Sequence, residues 1–215
     1  YWRVRPNNEC GEGDFGAAHS FTTAQLSCKT QAAQSLPLQI SEEGTPEVTA
    51  SISIADDLIV QDMNVAIDIT HTFVEDLVVS LTSPMGTTVF LVSNQCGSGN
   101  DIKAVFDDDG QAIACGNQPA IGGAIRPSAG VLQAFNGESL KGEWILTVKD
   151  NQTFDGGSLN EFALQICAEG SFRPDNDNDG VFDDGDDLCL NTPMGEPVNS
   201  NGCTLRVFEE NNFLI

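Results

Sequence analysis

The chain has 215 residues, room for one mid-sized domain with smaller flanking pieces. It carries 32 Asp and Glu against 9 Lys and Arg, a formal net charge of −23. Such a balance repels nucleic acid and anionic lipid, excludes both as partners, and suits divalent cations. No apolar run approaches the ~18 residues of a membrane-spanning helix, so no membrane insertion is expected. The chain starts at Tyr1 with no charged-then-apolar leader. It is read as a piece of a longer, already exported polypeptide.

Apolar residues make up 40% of the chain and they alternate, which argues against disorder. In chain order, residues 1–24 hold two short β-like runs, Tyr1-Trp2-Arg3-Val4-Arg5 and Ser20-Phe21-Thr22-Thr23. Residues 25–37 read as a linker. From Val65 to Phe73 the odd positions are Val, Ile, Ile, His and Phe and the even ones mostly polar, the period of a strand with one buried face. Similar runs follow at 77–81, 88–92, 144–148 and 162–166. Turn signals at Ser83-Pro84-Met85-Gly86, Asp109-Gly110, Asn136-Gly137 and Asp155-Gly156-Gly157 separate them. No stretch sustains a helical apolar period. Residues 38–168 are therefore expected to form an all-β, antiparallel β-sandwich. A linker at 169–174, an Asp-rich segment at 175–204 and a short tail at 205–215 follow.

Residues 175–187 read DNDNDGVFDDGDD. With Asp175 at loop position one, Asp177 and Asp179 fall at three and five, Gly180 at six, Val181 at seven, Asp183 at nine and Asp186 at twelve. This is the register of a calcium loop: spaced carboxylates, a Gly for the sharp turn and a backbone carbonyl at seven. A hard dication takes about 6–8 oxygens, and without one the carboxylates repel each other. Position twelve is Asp rather than Glu. Pro174 and Pro193 flank the loop, so no helix-loop-helix is expected.

The pattern resembles a thrombospondin type 3 repeat. It is carried by Asp175-x-Asp177-x-Asp179-Gly180-Val181-x-Asp183, by Asp187-Leu188-Cys189-x-Asn191-Thr192-Pro193-x-Gly195 and by Asn201-Gly202-Cys203. The resemblance implies calcium-ordered, nearly helix-free structure and a Cys189–Cys203 disulfide. The interval from Asp183 to Cys189 is one residue longer than in the usual repeat, which leaves either Asp186 or Asp187 as the late ligand.

Further landmarks stand in order over residues 38–168. They are Asp62-Met63-Asn64-Val65, the run from Ile69 to Thr87, Phe106-Asp107-Asp108, Gly142-Glu143-Trp144-Ile145-Leu146-Thr147-Val148-Lys149-Asp150 and Asp155-Gly156-Gly157-Ser158-Leu159. They resemble the P domain, or Homo B domain, of proprotein convertases and secreted bacterial proteases. That likeness implies a jelly-roll β-sandwich, non-catalytic itself, lying C-terminal to a peptidase catalytic domain in the same chain. Asp76, Asp107, Asp108, Asp150 and Asp155 stand at strand ends or loops, where several could converge on one calcium or simply cap turns. His71 reads as a core histidine with a hydrogen-bonded ring, and Trp144 as core.

The start, Tyr1 to Gly11 with Phe15 and Ser20-Phe21-Thr22-Thr23, resembles the last strands of a fibronectin type III domain. Modules in this order are similar to cell-surface proteins of gliding Bacteroidota exported by the type 9 secretion system, where a reprolysin-type catalytic domain precedes them.

Seven Cys with no Cys-x-x-Cys pair, and two His, speak for disulfides and an oxidising compartment rather than metal-thiolate chemistry. Cys96 and Cys115 flank the acidic stretch 101–109 and are read as a pair. Cys28–Cys167 follows from the likeness to bacterial P domains. A competing scheme, Cys10–Cys28 with Cys167 free, stays open.

No His-Glu-x-x-His, Gly-x-Ser-x-Gly or phosphate loop occurs. The expected function is the non-catalytic P-domain region of a secreted or outer-surface bacterial endopeptidase, a zinc metalloprotease before a subtilisin-like one. Its cofactor is calcium, and it contacts protein or glycan substrate or the type 9 secretion machinery. The alternative is an adhesion or glycan-binding module in which Trp and Tyr stack on sugars.

Overall fold

The computed structural model describes residues 3–20, 25–177, 179–193 and 196–205. It is nearly all β. A short hairpin, β1 (Asn7–Asn8) and β2 (Gly11–Glu12), precedes ten strands of a two-sheet sandwich. These are β3 (Leu26–Ala32), β4 (Leu38–Ile40), β5 (Glu47–Ile54), β6 (Ile59–His71), β7 (Leu77–Thr82), β8 (Thr88–Ser93), β9 (Ile102–Gln111), β10 (Ile121–Ile125), β11 (Gly142–Asp150) and β12 (Gly157–Glu169). One sheet runs β10-β9-β6-β12-β3, with β4 also paired to β12; the other runs β5-β11-β7-β8.

The alternation that marked the strands is the alternation of burial. Val65, Ile67, Ile69 and His71 of β6 point inward, as do Leu77, Val79 and Leu81 of β7 and Trp144, Leu146 and Val148 of β11. Each fully buried aliphatic or aromatic side chain contributes about 1.5–3 kcal/mol. Trp144 is wholly buried, meets Phe135 edge-on at 5.2 Å between ring centroids and donates its indole N–H to the Leu140 carbonyl at 2.9 Å.

Four sequence expectations need correction. The 25–37 linker contains β3, which pairs with β12 across Cys28 and Cys167; its half-exposed, mixed composition hides a strand that the sheet, not its own pattern, specifies. The sandwich is not wholly antiparallel, because β10 pairs with β9 in parallel. Asp109-Gly110 is not a turn: it lies in β9, as does the acidic stretch from residue 102 onward. Gly110 is needed because the Ile125 backbone abuts it, where a Cβ would come within 2.7 Å. In the first segment residues 3–5 of the first β-like run lie outside any strand, and the hairpin spans residues 7–12. Phe21-Thr22-Thr23, Trp2 and the tail beyond Leu205 lie outside the described residues.

Three disulfides staple the fold: Cys28–Cys167, Cys96–Cys115 and Cys189–Cys203. Cys10 is free and exposed, and the Cys10–Cys28 scheme is therefore not the one adopted.

Trp144→Ala is expected to destabilise the sandwich by about 3–5 kcal/mol, from lost burial and the cavity left behind. A urea midpoint unchanged from that of the parent would contradict this account of the core.

Candidate metal centre

The polypeptide leaves β12 at Glu169, crosses a strap at 170–174 and enters the Asp-rich loop. Asp175, Asp177 and Asp179 bring carboxylate oxygens within 4.8 Å of one another, and so do Asp177, Asp183 and Asp187. Asp177 belongs to both groups. Local geometry explains the convergence, because each carboxylate spends one oxygen on a main-chain N–H. Gly180 donates to Asp175 Oδ2 at 3.2 Å and Val181 to Asp179 Oδ1 at 2.8 Å. Thr192 donates to Asp177 Oδ2 and Cys189 to Asp187 Oδ1, both at 2.7 Å. The N–H of Asn176 donates to Asp183 Oδ2 at 3.2 Å.

The other oxygens of four of these residues, Asp175 Oδ1, Asp177 Oδ1, Asp179 Oδ2 and Asp187 Oδ2, are buried and, among the described residues, have no hydrogen-bond partner. A buried, unpaired carboxylate oxygen is costly. The four belong to residues of the two carboxylate groups that share Asp177, an all-oxygen donor set that fits a hard dication such as calcium. Burial raises the Asp175 and Asp179 carboxyls above their ordinary value; the N–H bonds to Gly180 and Val181 oppose it, and neighbouring carboxylates add to it.

Of the two candidates for the late position, Asp187 is the one grouped with Asp177 and Asp183, and it is 5% exposed. Asp186 is exposed, belongs to neither carboxylate group and pairs with Arg173 at 2.9 Å. Asp184 accepts from the same Arg173, through Nε at 2.7 Å and again through Nη2. These hydrogen bonds hold the Asp184 carboxyl below its usual range and raise the Arg173 guanidinium. Val181 contributes its N–H to Asp179 as described.

Two residues that seat the cluster had been read only as parts of a pattern. Thr192 anchors Asp177 through its N–H and binds the Gly202 and Cys189 carbonyls through its hydroxyl. Gly202 has φ +73°, and a Cβ there would lie 2.0 Å from Asp187 Oδ1, so only Gly lets the carboxylate approach. Their signal lay in Asn191-Thr192-Pro193 and Asn201-Gly202-Cys203.

The five sandwich candidates divide. Asp76, Asp150 and Asp155 gather at one end of the sandwich, where burial and then the charges of Asp150 and Asp155 raise the Asp76 carboxyl. Asp155 accepts from the Thr72 hydroxyl at 2.7 Å, and Asp150 lies 3.1 Å from His71 Nε2. Asp107 and Asp108 do not join them. Asp108 accepts the Leu132 and Gln133 N–H groups at 2.8 Å each, at the start of a 3-10 turn, and Asp107 accepts the N–H of Asp109. Those oxygens are committed to main-chain donors, the turn-capping use that short carboxylates favour.

The family model of the proprotein convertase P-domain matches residues 60–166. Among curated proteins, the chain is 28% identical over 119 residues to a calcium-dependent protease of Trichormus variabilis and 27% identical over 119 residues to one of Nostoc sp.. Each alignment covers 54% of this chain and 15% of the relative, so the chain spans about a seventh of the length of those proteins. Among solved structures it is similar to the Aeromonas sobria serine protease in complex with its chaperone, at 16% identity and a TM-score of 0.45, over 78% of this chain and 33% of that one. The stretch that matches the P-domain family, residues 60–166, runs from β6 into β12 and so takes in the centre of the two-sheet sandwich.

Proposed function

We propose that this chain is the non-catalytic P-domain region of a secreted or cell-surface bacterial endopeptidase, with calcium held by Asp175, Asp177, Asp179, Asp183 and Asp187. The observation that carries the calcium part is the set of four buried carboxylate oxygens without partners. The names of the two curated relatives, both calcium-dependent proteases, support the same reading. The cation supplies the positive charge that lets the loop close. The chain's own residues do the rest: main-chain N–H groups aim the carboxylates, Thr192 and Gly202 fit around them, and the Cys189–Cys203 bridge closes the segment.

The sandwich then contacts and stabilises a peptidase catalytic domain of the same polypeptide, or engages its protein substrate. The fibronectin-like start favours a zinc metalloprotease as that domain. A His-Glu-x-x-His in the adjoining polypeptide would bear this out, and a Ser-His-Asp set would make it a serine protease. Export through a type 9 system is part of the same proposal. Asp76, Asp150 and Asp155 are a second, subsidiary calcium position. Of the aromatic residues that a glycan-binding reading would use, Trp144 has no exposed face to stack on a sugar; Tyr1 and Trp2 lie outside the described residues.

Exhaustive chelation is expected to lower the melting temperature. A cation present at a hundred times its dissociation constant stabilises by about 2.7 kcal/mol, or ~5–11 °C for a chain of this size. An identical melting curve with and without chelator would contradict a stabilising cation. Asp177→Asn should abolish most of the calcium effect, since Asp177 is shared by both carboxylate groups.

The pH dependence has a definite sign. Without cation, the raised Asp175 and Asp179 carboxyls bind protons more tightly folded than unfolded, so the loop gains stability as pH falls toward the ordinary carboxylate range and loses it as pH rises through the raised values. With calcium the trend reverses, because protons and cation compete for the same oxygens. Hydrogen-exchange protection of residues 175–192, measured in chelator as pH is lowered from neutral toward the ordinary carboxylate range of about pH 4, should increase; a decrease would overturn the assignment.

A further inference from the structure

One residue joins the loop to the sandwich. The backbone N–H of Arg173 donates to Oδ1 of Asp56 at 3.0 Å, and Asp56 is a buried carboxylate between β5 and β6. The side chain reaches the other way, to Asp184 and Asp186, and its guanidinium lies over the Phe182 ring at 3.9 Å from the centroid. The neighbouring Pro174 carbonyl accepts the N–H of Asp183, and the Phe182 carbonyl accepts the N–H of Asp187, at 2.9 and 3.0 Å. Asp183 and Asp187 are two of the three members of the second carboxylate group. On the sandwich side, Phe172 packs against the core and the Gly170 N–H bonds the Gln25 carbonyl at 2.8 Å.

We infer that Arg173 is a positioning residue that couples cation binding in the 175–187 loop to the stability of the sandwich. The inference rests on the calcium reading above. Closing the carboxylates on a cation fixes Asp183 and Asp187, and with them Phe182 and the Pro174 contact. Those fix the seat of the guanidinium, whose forked donors hold two carboxylates at once as a lysine could not. The ordered strap then keeps its N–H on Asp56. Such coupling is reciprocal: an intact sandwich raises the affinity of the loop by the same factor. None of the five ligand carboxylates touches Arg173; Arg173→Ala keeps the main-chain N–H on Asp56 and the Pro174 contact, removes the guanidinium's hold on Asp184, Asp186 and the Phe182 ring, and so loosens the connection while leaving the site.

Trp144 reports the sandwich alone, once Trp2→Phe makes it the single tryptophan of the two in the chain. Its fluorescence is followed through thermal unfolding with calcium and with chelator, and calcium binding is measured by titration calorimetry. In the Trp2→Phe parent, calcium should raise the Trp144 transition. Adding Arg173→Ala should keep binding and lose much of the shift. Adding Asp177→Asn instead should lose both. An equal shift with and without Arg173 would overturn the coupling. A shift that survives Asp177→Asn would also overturn it, by tracing the effect to the acids of the sandwich. Binding in the parent with no shift overturns the coupling alone, whereas absence of binding overturns the calcium reading as well. Proteolysis of the parent needs no variant: calcium should slow chymotryptic cleavage after Phe172, and an unchanged rate would contradict the coupling.

Discussion

Everything at the C-terminal end of this chain depends on the mutual repulsion of aspartates that the backbone forces together. Two carboxylates 4 Å apart near a protein surface repel by about 4 kcal/mol, and five side chains converge here. The loop does not relieve this by splaying outward. Main-chain N–H groups fasten one oxygen of each of the five, and the second oxygens of four of them are left buried without partners. Positive charge would relieve such a cluster, and an all-oxygen set fits a hard dication.

The remaining acids are placed by the same logic at lower stakes. Asp108 accepts from two N–H groups that open a 3-10 turn, Asp101 accepts the His71 N–H at 3.0 Å, and Asp68 pairs with Lys103 at 2.5 Å. Arg173 takes two carboxylates out of the loop's surplus. The charge of −23 is therefore not a uniform solvated coat. It divides into carboxylates that satisfy main-chain donors, carboxylates paired with the few cations, and the loop group, in which main-chain donors hold each residue and four second oxygens are left without a partner among the described residues.

The sandwich was legible because its signal is local. Inward side chains of β6, β7 and β11 alternate strictly, and a period of two needs no knowledge of partners. β3 was not, because its exposed and half-exposed residues are held by pairing with β12 and by the Cys28–Cys167 bridge, both set by residues more than a hundred positions away. Asp109-Gly110 misled for the opposite reason: the glycine answers a close backbone contact with Ile125 rather than a turn. In the loop, spacing identified which aspartates approach one another, yet it could not separate Asp186 from Asp187. That choice is made by Arg173, outside the motif, and by the room that Gly202 leaves beside Asp187.

His71 and Asp150 have the look of a catalytic pair, and their geometry argues against it. Both are fully buried. In a hydrolytic triad the carboxylate holds Nδ1 and leaves Nε2 for the nucleophile. Here Nε2 faces Asp150 at 3.1 Å, while Nδ1 lies 3.0 Å from the Phe73 carbonyl. Neither nitrogen is left to take a proton from a substrate, and no solvent reaches the ring. What the pair does is mechanical: it pins the end of β6 to the end of β11 beneath the loops that carry Asp76 and Asp155. Breaking it by removing one partner would leave a buried polar group stranded. His71, read from the sequence as a core histidine with a hydrogen-bonded ring, is thus a structural fastener.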